Sequence, residues 1–147
     1  MQMGYGDTFV YPVLIEPVEG GGEFLARVVG FPEVLTSGAT EKEAIHAAED
    51  ALEEAVLGRL ADGKDVPLPG GVLGSADVVF LPPVTAARVL VEAKRRACGW
   101  SKSQLARAMG KDEKIVRRLL DGRSGVSMEA ALEALHALGF QASLVWR

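Results

Sequence analysis

Glu113, Lys114, Arg117 and Arg118 recur one helical turn apart within SKSQLARAMGKDEKIVRRLLDG, the stretch from Ser101 to Gly122. In a helix these four side chains share one exposed arc. Arginine and lysine can donate to O6 and N7 of guanine, so the arc has the chemistry to read bases in a DNA major groove. Glu113 suits such a surface only if it accepts from cytosine N4. Asp112 reads as a helix cap rather than a contact. Lys102, Ser103, Arg107, Lys111 and Arg123 flank the arc in sequence and suit phosphate contacts, which position a protein on DNA without reading sequence. The alternative is a basic helix face that is only solvated.

Few other residues offer chemistry. Glu16, Glu23 and Glu33 are the strand carboxylates that a metal-dependent nuclease would need, but no pair of them has an obvious metal-binding spacing. His46 lies on a polar helix face, and His136 lies beside an apolar stripe. Neither has a partner pattern for catalysis or metal. The single cysteine, Cys98, excludes an internal disulfide and makes a cysteine zinc site very unfavourable. It reads as a small buried hydrophobe at a helix end. Trp100 and Trp146 read as packing residues. The pattern implies neither a metal nor a cofactor, and no catalytic residue.

The elements that would position the basic arc are legible locally. Ser101 and Gln104 form a capping box for a helix whose apolar face is Leu105, Ala106 and Met109. Gly110 supplies the left-handed residue of a sharp turn. Asp112 caps a second helix, with Ile115 or Val116 and Leu119 facing inward. Before this pair, Thr85 caps a helix to about Ala97, with Ala86, Val89, Leu90, Ala93 and Ala97 buried. After it, Ser127 caps a helix with Met128, Ala131, Leu132, Leu135 and Leu138 inward and Gly139 at its end. Phe140, Ala142, Leu144 and Trp146 then alternate with Gln141, Ser143, Val145 and Arg147, a strand pattern.

The first half of the chain reads differently. Tyr11–Pro17 is a strand, Glu19–Gly22 a hairpin turn, and Glu23–Val29 the return strand, with Phe24, Ala26 and Val28 on one face. Gly30-Phe31-Pro32-Glu33 breaks it before a short third strand, Val34–Ser37. Thr40 and Glu43 form a capping box. The helix that follows carries Ile45, Ala48, Leu52, Ala55 and Val56 on its inner face, with His46, Asp50, Glu53 and Glu54 opposite, and ends near Asp62-Gly63. Residues 63–83 have the Pro/Gly composition of a connector, interrupted by a possible strand at Ala76–Leu81. The reading is an α+β chain of two domains, 1–83 and 84–147.

Charge divides along the same line. The 147 residues carry a net charge of −4, but residues 1–84 hold 4 Lys/Arg against 14 Asp/Glu, while 85–147 hold 12 against 6. Balances of −10 and +6 suggest two different partners: an anion for the C-terminal part and a basic partner for the N-terminal part. No run approaches the ~18 apolar residues of a membrane span. The N-terminus lacks the basic and apolar regions of a signal peptide, so the cytoplasm is expected.

Residues 85–139 resemble the Cro/C1-type (Xre-like) helix-turn-helix family. The resemblance is carried by Ser101, Leu105-Ala106, Gly110, Val116, Leu119, Gly122, Met128 and Leu132–Gly139. Lys102 departs from the glutamine that family often has after the first cap, and offers a point charge in place of amide geometry. The N-terminal part resembles the HicB antitoxin family. Here the carrying stretches are YPVLIEP, the glycine turn, EFLARVVGFPEVLTSGATEKEAIHAAEDAL and Val66–Pro69. That resemblance implies a partial RNase H-like fold that binds and inhibits a HicA-type toxin, a small mRNA-cleaving ribonuclease. It also implies a C-terminal domain that represses the operon by binding its operator DNA. Glu43, Asp50, Glu53 and Glu54 are then the toxin-contact candidates, since a ribonuclease that grips RNA phosphates presents a basic surface. Ordinary solvation of a helix face is the alternative for each. The C-terminal strand, residues 140–147, and the helix before it are expected to form a homodimer. Two other functions remain open on the residues alone: an orphan regulator whose N-terminal domain senses another ligand or protein, and a metal-dependent RNase H-like nuclease.

Overall fold

A computed structural model describes residues 9–70 and 77–142. Strands β1 (Val10–Pro17) and β2 (Phe24–Val28) form an antiparallel hairpin in register from Val13 opposite Val28 to Pro17 opposite Phe24. β3 (Phe31–Gly38) pairs with β2, and the short β4 (Val78–Phe80) pairs with the other edge of β1, giving the order β3-β2-β1-β4. All of these pairings are antiparallel.

The expected break at Gly30–Glu33 is shorter than the sequence suggests. Only Val29 and Gly30 turn, with Gly30 at φ 89°, and β3 begins at Phe31 rather than Val34. Phe31 is fully buried and stacks edge-on against Tyr11, with ring centroids 5.2 Å apart. The irregularity becomes a register shift at Arg27/Val28, with Pro32 and Glu33 left exposed. Proline is tolerated there because β3 is an edge strand.

Helix α1 (Glu41–Ala61) covers one face of the sheet. Ala44, Ala48, Leu52 and Val56 repeat at four-residue spacing and are fully buried. Ile45 and Ala55 flank this ridge and are half-buried. Thr40 caps the helix by accepting from the Glu43 amide at 3.1 Å, and the Glu43 carboxylate reaches back to the Ala39 amide at 3.0 Å. Gly38 ends β3 directly beneath α1, where a Cβ would collide with the Ala44 amide and Glu43 carbonyl carbon.

The opposite sheet face is open in part among the described residues, although Val10 on it is buried. Leu35, Arg27 and Leu14 lie in one cross-strand row, and Phe80 shares their face. Leu14, Leu35 and Phe80 are about half exposed, as is Val29 in the turn.

The chain forms two compact units. One holds the sheet, α1 through Val56, and Pro67–Pro82; the other holds Leu57–Val66 and the chain from Pro83. The second unit packs α2 (Pro83–Ala97), α3 (Lys102–Met109), α4 (Glu113–Leu120) and α5 (Met128–Ala137) around one core. Leu105, Val116, Leu119, Ala131 and Ala134 are fully buried in it, and Trp100, Met109 and Phe140 pack against its edge.

Several expectations need correction in this unit. Thr85 does not cap α2; the helix begins at Pro83, whose missing N–H is tolerated in a first turn, and Thr85 is buried. The buried face of α2 is Thr85, Ala87, Arg88, Val89 and Val91, while Ala97 and Cys98 are exposed. On α5, Ala134 takes the inward place and Leu132 is 41% exposed. The expected C-terminal strand does not begin at Phe140: residues 140–142 are not strand, and residues 143–147, Trp146 among them, lie outside the described residues. Phe140 instead packs against the core, with the Lys94 ammonium 4.7 Å from its ring centre.

Candidate functional site

The α3–α4 pair is built by local capping. Ser101 accepts from the Gln104 amide at 3.1 Å, and the Gln104 side chain accepts from the Ser101 amide at 2.7 Å. Gly110, at φ 65° and ψ 30°, turns the chain out of α3, and Lys111 N–H donates to the Ala106 carbonyl at 3.0 Å. Asp112 then caps α4 by accepting from the Lys114 amide at 2.9 Å. Leu105 and Ala106 of α3 and Val116, Leu119 and Leu120 of α4 face the core. Of the two alternatives for the inward position, Val116 is buried and Ile115 is 37% exposed.

The expected arc on α4 is present but not uniform. Lys114, Arg117 and Arg118 are exposed, whereas Glu113 is half-buried and already engaged. The Glu113 carboxylate accepts from Ser103 Oγ at 2.8 Å, from Arg117 Nη2 at 2.9 Å and from Arg117 Nε at 3.2 Å. The Ser103 hydrogen bond, and then Arg117, hold its pKa below the ordinary carboxylate value. Lys102, Arg107, Lys111 and Arg123 are exposed. Lys111 lies 3.9 Å from the Glu133 carboxylate, a loose surface pair.

Sequence reasoning missed Arg88. Its guanidinium is buried and donates from Nε to the Leu119 carbonyl at 2.8 Å and from Nη2 to the Arg118 carbonyl at 3.2 Å. Those carbonyls are among the last in α4, where a helix leaves its acceptors unsatisfied and its dipole favours a cation. Asp121 lies 3.6 Å from Arg88 and accepts from the amides of Arg123 and Ser124, both at 2.8 Å. Burial opposes ionisation of Asp121, but these hydrogen bonds and Arg88 outweigh it and its pKa is lowered. Gly122, at φ 71°, follows against the Leu57 carbonyl, where a Cβ would clash. A lone arginine between Ala87 and Val89 was the only signal for this arrangement.

On α1, Asp50 and Glu54 are exposed and Glu53 is half-buried, while Glu43 is committed to the Ala39 amide. Glu16 is exposed on β1 opposite Leu25, and Glu33 is exposed on β3. Glu23 is exposed just before β2. Among the described residues, no group of three or more His, Cys, Asp or Glu could hold a metal ion. No helix among them is long and apolar enough to cross a membrane. His46 and His136 are both exposed.

The chain is an α+β protein in which a four-stranded sheet unit with an acidic helix precedes a helical unit with an exposed basic helix. No family model matches it. It is 35% identical to antitoxin HicB 1 of Photorhabdus laumondii over 96% of this chain and 92% of that protein. It is 33% identical to antitoxin HicB of Escherichia coli K12 over 92% of this chain and 97% of that protein. Against antitoxin HicB of Pseudomonas fluorescens the identity is 31%, over 90% and 91%. The chain belongs to the HicB antitoxin family.

Proposed function

We propose that this antitoxin neutralises a HicA-type mRNA-cleaving toxin through its sheet unit, and represses its own operon through α3 and α4 acting as an Xre-like helix-turn-helix. The observation that carries the first part is similarity to HicB antitoxins over nine-tenths or more of the chain. The three-stranded meander followed by α1 supports a partial RNase H-like fold, and the acidic balance of this half suits a basic ribonuclease. The observation that carries the second part is a capped turn presenting Lys114, Arg117 and Arg118 on one exposed helix face. In this reading those three residues read bases, and Lys102, Arg107, Lys111 and Arg123 hold phosphates. Exposed Leu132 supports a homodimer formed through α5 and residues 140–147. Exposed Cys98 suits a reducing cytoplasm.

The toxin reading is tested by co-expressing this chain with a HicA-type toxin, taken from any small basic reading frame found adjacent to its gene. Rescue of growth and co-purification are expected. The contact is tested with Asp50→Lys and Glu54→Lys, which should weaken co-purification tenfold or more. Losses confined to Leu14→Asp and Leu35→Asp would move the contact to the open sheet face. Failure of the wild-type protein to bind or rescue would overturn the reading.

A further inference from the structure

Glu113 opens α4 in the middle of its basic arc, an unfavourable place for a carboxylate that must approach phosphates. An ionised carboxylate has about four acceptor positions. Three hydrogen bonds already occupy Glu113: one from Ser103 on α3 and two from Arg117 one turn further along α4. Little capacity is left to accept from a cytosine amine.

The same contacts orient the arginine. A guanidinium has five N–H donors in a rigid planar fork. Glu113 takes Nε–H and one hydrogen of Nη2, which leaves the edge formed by Nη1 and the other Nη2 hydrogen. That edge has the geometry for paired donation to O6 and N7 of guanine. Ser103 anchors the carboxylate from a second helix, so the orientation of Arg117 is set by the α3–α4 pair and not by α4 alone. Arg117 remains 67% exposed, so without this tether a long side chain would be ordered only on binding.

We propose that Glu113 is a positioning residue which, anchored by Ser103, holds Arg117 with its free guanidinium edge toward a guanine in the major groove. This rests on the DNA-binding reading above. Glu113 and Ser103 then set specificity through Arg117, and neither needs to touch DNA. The lowered pKa of Glu113 is consistent with this role, because the group stays ionised and acceptor-only at neutral pH.

The test uses the full-length protein and two probes: the duplex that the wild type selects from a random-sequence pool, and unselected random duplex. Glu113→Ala should weaken binding to the selected duplex roughly tenfold. Binding to random duplex should be unchanged or slightly tighter, since a negative charge has been removed. Ser103→Ala should shift the same ratio in the same direction by a smaller factor. In the Arg117→Ala background, Glu113→Ala should cause no further loss of affinity for the selected duplex. Random-duplex affinity also reports that each variant is folded, and Ser103→Ala keeps the test open should Glu113→Ala fail to fold. Additive losses for Glu113→Ala and Arg117→Ala, or an unchanged selected-to-random ratio in Ser103→Ala and Glu113→Ala, overturn the inference while leaving DNA binding intact. A wild type that selects no duplex overturns the DNA reading and the inference with it.

Discussion

Arg117 and Lys102 are both exposed cations on the α3–α4 pair, yet they carry different expectations. Arg117 stands on the outward face of α4 with a planar fork of donors, so Arg117→Ala should relax preference at one base position. Lys102 opens α3 and offers only a point charge, so Lys102→Ala should weaken all sequences alike. A gel-shift series on the selected duplex and its single-base variants separates the two; even losses on every sequence for both mutants would refute the division. Lys114, Arg117 and Arg118 were legible in the sequence because helical spacing alone sets which residues share an arc. The bonding of Glu113 to Ser103 was not, because those residues meet only once the turn at Gly110 has set the angle between two helices.

At the scale of elements, α4 is held at both ends. Asp112 caps its start, and buried Arg88 satisfies the carbonyls of Arg118 and Leu119 at its end. Arg88→Ala should therefore destabilise the helical unit by about 2–4 kcal/mol, measured by denaturant unfolding. Arg88→Lys should not restore it, because one ammonium lacks the fork that spans two carbonyls. A loss below about 0.5 kcal/mol, the range of ordinary surface substitutions, would show that water serves those carbonyls equally well. The capped turns were legible because capping is a contact between residues two or three apart. The buried face of α2 was misread because Arg88 faces the core with its charge bonded to a helix distant in sequence, which hydropathy cannot register. The third strand was misread for a similar reason: Gly30 and Pro32 look like a break, but Phe31 between them belongs to the core under Tyr11.

For the whole molecule, the proposed functions require that two recognition helices act together and that phosphate contacts dominate affinity. Deleting residues 140–147 and changing Leu132→Glu should give a monomer by analytical ultracentrifugation, and an unchanged dimer would sink the interface. Affinity for the selected duplex should fall roughly 10³-fold or more between 50 and 200 mM salt, as expected when a dimer neutralises six to ten phosphates. A salt-independent affinity would exclude this mode of binding. The acidic and basic halves, the order of elements from β1 to α5 and the capped α3–α4 turn were determined by the sequence itself, because charge balance and short-range hydrogen bonding need no knowledge of distant contacts. Tertiary structure alone decided which charges on α4 are free. It placed Ser103 against Glu113 and Arg88 beneath the end of α4, and it left Leu14, Leu35 and Phe80 on an open sheet face. The reason is physical: a side chain's availability depends on what the fold brings within hydrogen-bonding distance, and those partners lie 10 to 31 residues away along the chain.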